Sequence, residues 1–316
     1  MPYFSIVIPV YKTEPYLEKC LQSIKDQTFT DFECIIIDDG SPGVGDRPKT
    51  EQELIETNVD FDIEAIFKYV CGTDPRFRKI HQANRGLGPT KNRGLEEAKG
   101  ERFMVLDSDD FLEVDYLQKA FEALKHRPKH YINHGLLKTY SDGKYDSFAS
   151  SQRFLPKVNN LENLLVFPTW SVTPINYFWR IDLIRKYNIK YRFINKGEDT
   201  AFVLDNINAH FKEYGKIQFE PIEIYYIYRQ FAEQMTKSDG FELELFEHTI
   251  SFMSSILPEL KTIGFKYEVL GRLFVLRFAI YRQRALSQNK IKKNLLNIMA
   301  KFLSVLSILI AGTRKT

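Results

Sequence analysis

Two clusters of acidic residues follow short apolar runs in the first 110 residues, and their spacing suits metal and nucleotide chemistry. Asp107, Ser108 and Asp109 follow the run RFMVL. Residues two apart in an extended chain point the same way, so both carboxylates can face one ligand. Oxygen donors of this kind suit Mg²⁺ or Mn²⁺ shared with a phosphate group. A solvated acidic turn is the alternative, because this short pattern also occurs by chance.

A second cluster, Asp38-Asp39-Gly40-Ser41, follows the run FECIIID. The Asp39 carboxylate can accept the N3–H of a uracil, and Gly40 lets the backbone approach a ligand closely. The GSPGVGDR stretch does not match a phosphate-binding loop of the GxxxxGK[ST] type. Asp46 and Arg47 stand where that loop needs its lysine and its hydroxyl residue.

The elements that must position these residues alternate between strands and helices. Four runs are typical of strands, three of them almost continuously apolar as in buried parallel sheets: Phe4–Val10, Phe32–Asp38, Phe77–His81 and Arg102–Leu106. Apolar residues at helical spacing predict helices at Leu17–Ile24, after Thr13 and Pro15, and at Ile63–Val70 and Leu117–Leu124. The order predicts an α/β fold with a parallel sheet, in which ligands lie beyond the carboxyl ends of the strands.

Five carboxylates are therefore expected at one edge of the sheet. Their mutual repulsion is costly unless a cation or a set of hydrogen-bond donors compensates it. The five are Asp38, Asp39, Asp107, Asp109 and Asp110.

Three segments together resemble the successive signatures of family 2 glycosyltransferases. They are SIVIPVYKTEPYLEKCLQSIKDQTFTDFECIIIDDGSPG, ANRGLGPTKNRGLEEAKGERFMVLDSDDFL and KGEDTAF, and they span roughly residues 3–235 in order. The resemblance implies the GT-A fold, with a Rossmann-like nucleotide-binding sheet. It also implies inverting transfer of a sugar from a nucleotide donor, here a UDP-sugar, to an acceptor hydroxyl with Mn²⁺ or Mg²⁺ as cofactor.

The same resemblance implies roles for individual residues of the nucleotide-sugar site. Asp39 reads the base, and Asp107 and Asp109 serve the ribose, the diphosphate and the metal, with Ser108 between them. Four further residues shape the nucleoside pocket: Pro9, Val10, Tyr11 and Glu14.

The GEDTAF segment carries the implied catalyst. Inverting transfer needs one base to take the proton of the acceptor hydroxyl, and the matching position is Asp199, with Glu198 available to hold the acceptor. Acidic residues that merely favour a helix N-terminus are the alternative, and both can hold at once. Trp170 and Trp179 are candidates for stacking on an acceptor sugar, although tryptophan is more often a core residue.

Positive charge for the leaving diphosphate is expected from Lys91 and Arg229. Lys91 stands where the family usually has the arginine of its Arg-Asn-x-Gly motif. A point charge therefore replaces a bidentate guanidinium at that position.

The net charge of +3 conceals an uneven distribution. The last 48 residues hold ten basic residues and no acidic one, which leaves 34 basic against 41 acidic residues, or −7, in residues 1–268. The segment after Lys290 alternates polar and apolar positions as an amphipathic helix does. Its longest uncharged stretch, Phe302 to Thr313, is 12 residues, short of the ~20 that span a bilayer.

These patterns predict two regions. Residues 1–237 form a catalytic domain, with a nucleotide-sugar half (1–110) and an acceptor half (111–237). Residues 238–316 form a basic helical region that binds an anionic membrane surface, or else packs on the domain or forms a homodimer interface. The acidic body makes nucleic acid an unlikely partner.

The expected function is transfer to a glycan or lipid-linked oligosaccharide for a surface polysaccharide, at the inner face of the plasma membrane. Three cysteines without a CxxC pair, and no apparent secretory signal, fit that cytoplasmic location. A nucleotide-sugar-binding or scaffold protein without turnover is the alternative.

Overall fold

A computed structural model describes residues 1–41, 62–141, 143–146, 176–192, 198–215 and 217–229. The strands are β1 (Phe4–Val10), β2 (Phe32–Asp38), β3 (Phe77–His81), β4 (Arg102–Val105), β5 (Phe111–Leu112), β6 (Tyr131–Ser141), β7 (Lys144–Asp146), β8 (Trp179–Arg180) and β9 (Gln218–Arg229). The helices are α1 (Glu14–Lys25), α2 (Ile63–Val70), α3 (Leu87–Glu97), α4 (Tyr116–Leu124), α5 (Ile181–Lys186) and α6 (Glu198–Tyr214).

The first sheet has the order β3-β2-β1-β4-β8. Strands β1 to β4 run parallel, and β8 joins β4 antiparallel at the edge. A second sheet has the order β5-β9-β6-β7, with β6 and β9 parallel to each other. The predicted α/β architecture with a parallel first sheet is thus confirmed.

Alternate residues of β1 enter two different cores, because successive side chains of a strand point to opposite faces. Val7 packs with Phe103 and residues of α5 and α6 on one face. Ile6 and Ile8 pack with residues of α1, α2 and α4 on the other. Covering both faces explains why all seven residues of β1 are buried and why its sequence is continuously apolar.

The predicted strand and helix positions agree with the structure, but α3 was not predicted. Its buried face consists largely of small and polar residues, so it lacks the apolar stripe that reveals a helix. A Cβ at Gly94 would lie 2.3 Å from Cγ1 of Val7, so this face of α3 approaches β1 closely.

The described residues after 128 are mixed, as predicted, and Ile222, Ile224 and Tyr226 of β9 belong to the same core as Ile6 and Met104 of the first sheet. The long 42–61 segment and the predicted C-terminal helical region lie outside the described residues. Within the described ranges, no helix has the length and apolar character needed to cross a membrane.

Replacing Gly94 with alanine tests the close approach of α3 to β1. The added methyl group overlaps Val7, so we expect Gly94→Ala to lower the free energy of unfolding by about 1–3 kcal/mol in urea titrations. Glu96→Ala, at an exposed position of the same helix, is the control and should change little. Equal stability of the two variants would contradict this packing.

Candidate active site

The two acidic clusters meet at the carboxyl edge of the first sheet because β1 pairs with both β2 and β4. Val10 lies opposite Asp38 in one ladder, and Val7 lies opposite Val105 in the other. Thr13, which precedes α1, shares a 2.6 Å hydrogen bond between its hydroxyl and that of Ser108. The predicted helix-start residue therefore ties the end of β1 to the 107–109 turn and makes no side-chain cap to α1.

Asp39 is 3% exposed and holds the loop that leads into α3. Its carboxylate accepts hydrogen bonds from the backbone N–H groups of Arg85 and Gly86, both at 2.9 Å, and from the Gln82 amide at 2.7 Å. Gly40 has φ +69°, and a Cβ there would lie 2.8 Å from the backbone nitrogen of Asn84. Only glycine therefore fits the approach of these two loops.

The turn after β4 is fixed from the second sheet. Tyr226 donates its hydroxyl to Asp110 at 2.7 Å and accepts the backbone N–H of Asp107 at 3.1 Å. Arg229 donates its backbone N–H to Asp110 and its Nε–H to the backbone oxygen of Asp109, both at 2.8 Å. The Arg229 guanidinium also lies 4.9 Å from the centre of the Tyr16 ring, and the side chain is almost completely buried.

Glu198 and Asp199 occupy the first turn of α6, where the helix dipole favours negative charge. The buried ammonium group of Lys91 donates to Asp199 Oδ1 at 2.6 Å and to Glu198 Oε1 at 3.1 Å. Lys91 belongs to α3, so this ion-paired cluster joins two helices that are distant in sequence.

The pKa values of these groups show how closely the charges lie. Burial, reinforced by the charge of Asp199 and opposed by Lys91, raises the pKa of Glu198 to about 7. Burial also raises the pKa of Asp107 to about 7, with Lys91 lowering it and the charges of Asp199 and Asp109 adding to the rise. The 107–109 turn and the acidic pair of α6 are therefore one electrostatic unit.

The chemistry of this donor set fits a hard divalent cation. Asp107 and Asp109 supply carboxylate oxygens, which are the ligands that such an ion prefers. In the described part of the chain, no group of three or more Asp, Glu, His or Cys side chains is arranged to hold a metal alone. The two carboxylates therefore suit an ion that takes its other ligands from a phosphate group and water.

Four further predicted residues lie at or near the same edge. Pro9 and Val10 are buried at the end of β1, Tyr11 is 44% exposed beyond it, and Glu14 is 5% exposed at the start of α1. Trp179 is 3% exposed and stacks on Tyr177 in the core, so the interpretation that it stacks on an acceptor sugar is wrong. Trp170 lies outside the described residues.

Three structurally important residues were not identified in the sequence. Tyr226 lies in the aromatic segment Tyr225–Arg229, and no spacing rule marked its hydroxyl among the tyrosines there. Asn92 exchanges two hydrogen bonds with the backbone of Tyr191, at 2.7 and 2.8 Å. Tyr191 stacks on Phe202 of α6 with ring centres 3.9 Å apart. The Asn92–Tyr191 and Tyr226–Asp110 contacts join residues about a hundred positions apart, which a local pattern does not reveal.

The model of the glycosyl transferase family 2 matches residues 5–46 and 59–181, more than half of the chain. The chain therefore belongs to this family.

Solved structures show the same fold. The Staphylococcus aureus TarS 1–349 structure in complex with UDP-GlcNAc superposes with a TM-score of 0.62 at 19% identity, covering 94% of this chain and 79% of that chain. The predicted GT-A fold is thus confirmed.

Curated relatives are bacterial. The uncharacterized glycosyltransferase EpsJ of Bacillus subtilis (strain 168) is 28% identical over 247 residues, which cover 75% of this chain and 64% of EpsJ. EpsH of the same organism is 35% identical over 122 residues, covering 39% of this chain and 30% of EpsH. A chondroitin synthase of Escherichia coli is 33% identical over 125 residues, covering 40% of this chain and 16% of that protein. The chain thus spans less than two thirds of each of these three proteins.

The raised pKa of Glu198 predicts a pH-dependent contribution to stability. A carboxyl group whose pKa rises on folding, here from 4.5 to about 7, stabilises the fold at low pH, and this contribution is lost as the pH rises through the folded value. Glu198→Gln does not titrate. Its free energy of unfolding, relative to the wild type, should therefore increase between about pH 5 and pH 8 in metal-free urea titrations.

The comparison with the wild type and one control variant isolate the contribution of Glu198 to the pH dependence. His210, whose burial lowers its pKa to about 4, contributes in the opposite direction, but it is common to both proteins and cancels in the difference. Glu96→Gln, at an exposed position, should give a difference from the wild type that is flat with pH. A flat difference for Glu198→Gln as well would show that Glu198 is ionised throughout this range.

Proposed function

We propose that this protein is a metal-dependent inverting glycosyltransferase that moves a sugar from a UDP-sugar to a hydroxyl of a glycan or lipid-linked acceptor. The observation that carries the proposal is that Asp199 and the Asp107–Asp109 turn lie in one charged cluster around Lys91. One part of that cluster suits a diphosphate with its metal, and the other supplies a carboxylate that can accept a proton. The UDP-GlcNAc complex of TarS, which shares the fold, supports a UDP-sugar as donor.

The donor is assigned to the carboxyl edge of the first sheet. Pro9, Val10, Tyr11 and Glu14 form the nucleoside pocket, and Asp39 accepts the N3–H of the uracil. An ionised carboxylate offers about four acceptor sites, and Asp39 already receives three hydrogen bonds, so one more donor can be accommodated. The exposed ring of Tyr11 is available to cover the base.

Asp107 and Asp109 are the residues that would hold Mn²⁺ or Mg²⁺, with Ser108 between them beside the donor. When bound, the ion would neutralise negative charge on the leaving diphosphate as a Lewis acid. Arg229 supports this turn through its hydrogen bond to the Asp109 backbone and is proposed to supply positive charge for the leaving diphosphate.

Asp199 is the proposed general base. It takes the proton of the acceptor hydroxyl while that oxygen attacks the anomeric carbon from the face opposite the UDP group, which gives inversion. Glu198, beside it in the first turn of α6, is proposed to hold the acceptor, together with Trp170. A protein that binds nucleotide sugars without turnover is the alternative, and the retained acidic residues Asp109 and Asp199 argue against it.

The biological setting is proposed to be synthesis of a capsule, lipopolysaccharide or other surface polysaccharide at the inner face of the plasma membrane. Residues 1–237 form the catalytic domain, and residues 238–316 form a helical region that binds anionic lipid or mediates a homodimer. The lipid-binding role is supported by the ten basic residues after Glu268, a segment that contains no acidic residue.

Replacing Asp199 with asparagine tests the assignment of Asp199 as the general base. A panel of UDP-glucose, UDP-galactose and their N-acetylated forms is first screened for Mn²⁺-dependent UDP release by the wild type, with EDTA abolishing turnover. Asp199→Asn should lower kcat by at least about 100-fold, since it removes the proton acceptor, while UDP binding in calorimetry persists. Asp205→Asn, on the same helix and paired with Arg192, is the matched control and should stay active.

Two results would contradict the proposal. Undiminished turnover by Asp199→Asn would remove this residue from catalysis. UDP-sugar binding by the wild type with no turnover of any donor in the panel would favour the binding-protein alternative.

Membrane attraction by the C-terminal region is tested with the full chain. Changing Lys290, Lys292 and Lys293 to glutamine removes three positive charges, each worth about 1 kcal/mol near an anionic surface, so binding to phosphatidylserine-containing vesicles should weaken on the order of 100-fold. Lys68, Lys99 and Lys129 changed to glutamine give a control with the same loss of charge elsewhere. Equal sedimentation of both variants with vesicles would exclude the membrane role.

A further inference from the structure

Lys91 is a lysine whose ammonium group is enclosed in protein. Its side chain is 1% exposed, and it lies on the buried face of α3 between the first sheet and α6. Its two carboxylate partners, Glu198 and Asp199, come from the first turn of α6. Enclosing a charge in this way is costly unless partners compensate it, so the position of Lys91 is tightly linked to theirs.

Three carboxylates act on this single ammonium. Although burial tends to lower it, the charges of Asp199, Glu198 and Asp107 raise the pKa of Lys91 well above its ordinary value. These carboxylates therefore favour the protonated form of Lys91. Without that charge, the carboxylates of α6 and of the 107–109 turn would repel one another in a poorly solvated space.

The surroundings of Lys91 leave it little freedom to move. The next residue, Asn92, is doubly hydrogen bonded to the backbone of Tyr191, and the ammonium lies 5.4 Å from the centre of the Tyr191 ring. A Cβ at Gly88, one turn earlier, would lie 2.4 Å from the backbone oxygen of Arg192. The first turns of α3 are thus packed directly against the segment that precedes α6.

We propose that Lys91 is a positioning residue that fixes the carboxylate of Asp199 for proton transfer, and that it acts through Asp199 and not by contact with the donor diphosphate. This inference rests on the proposed function, in which Asp199 is the general base. Of the two partners, Asp199 has the shorter contact, 2.6 Å against 3.1 Å for Glu198. One oxygen of Asp199 is thereby anchored, which leaves the other for the acceptor hydroxyl.

A purely structural salt bridge and a direct diphosphate contact predict different kinetics from a positioning role. Loss of a diphosphate contact weakens UDP binding and raises the donor KM. Loss of a structural bridge lowers the amount or stability of folded protein, while the folded molecules keep their kcat. Loss of positioning lowers kcat with donor KM and UDP affinity unchanged, because misplacing a catalytic group by about 1 Å can cost 100-fold in rate.

The experiment compares Lys91→Met, which keeps most of the length of the side chain without its charge, with Lys91→Arg, which keeps the charge. UDP release is measured with whichever donor of the panel the wild type turns over, and Mn²⁺–UDP affinity and thermal unfolding are measured on each variant. We expect Lys91→Met to lower kcat about 10- to 100-fold with the donor KM within about twofold of wild type. Lys91→Arg should recover a large part of the lost kcat.

Two further variants support the comparison. Because Lys91→Met leaves buried carboxylates uncompensated, the double variant Lys91→Met/Glu198→Gln removes one of those charges. Because Glu198 is itself proposed to hold the acceptor, a low kcat in the double variant is not assigned to Lys91, whereas its folding and Mn²⁺–UDP affinity should match the wild type. Lys186→Met, which breaks an ion pair with Glu213 at the protein surface, is the control and should have wild-type kinetics.

The possible outcomes distinguish failure of the proposed function from failure of the inference about Lys91 alone. Absence of turnover by the wild type with every donor of the panel would overturn the proposed function and this inference with it. Turnover by the wild type with an unchanged kcat in folded Lys91→Met, or in the double variant, would overturn the inference alone. Weaker Mn²⁺–UDP binding and a raised donor KM in these variants would instead place Lys91 at the diphosphate.

Discussion

Mutual repulsion among carboxylates at one edge of a buried sheet is the constraint on which the rest of this site depends. Each carboxylate there must meet a compensating donor, and different parts of the chain supply them. Asp39 receives backbone N–H groups from the loop before α3, and Asp110 receives Tyr226 and the Arg229 backbone from β9. Asp199 receives the ammonium of Lys91. Because each donor comes from a separate element, satisfying the charges also determines how the two sheets and the helices fit together.

Helix α3 connects the two ends of the site. Its N-terminus is held by Asp39, the residue assigned to the nucleobase, and its second turn carries Lys91, which holds the proposed base. Gly94 lies against Val7, so the helix also rests directly on the central strand. The residues assigned to donor recognition and to proton transfer are therefore attached to one rigid body, which suits a reaction in which two substrates must be aligned.

The elements near the carboxyl edge could be predicted because their signals are local. Continuous apolar runs marked β1 and β2, and apolar residues at helical spacing marked α1. The resemblance to family 2 identified the acidic motifs. Helix α3 was missed because its buried face carries residues such as Thr90 and Lys91, where a packed helix ordinarily shows an apolar stripe. Trp179 was ambiguous in the sequence, since a tryptophan can serve either a core or a sugar platform, and burial places it in the core.

The sequence by itself determined the alternation of strands and helices, the acidic residues that follow the strands and the family to which they point. Each of these features depends on residues that are adjacent or regularly spaced in the sequence. Only the tertiary structure decided which hydrogen-bond and ion-pair partners the site residues have. Lys91 lies more than a hundred residues from Glu198 and Asp199, and Tyr226 lies as far from Asp110. Contacts of that separation depend on how the helices and sheets pack. Lys91, which the sequence suggested as a ligand for phosphate, is therefore enclosed as the counter-ion of two carboxylates.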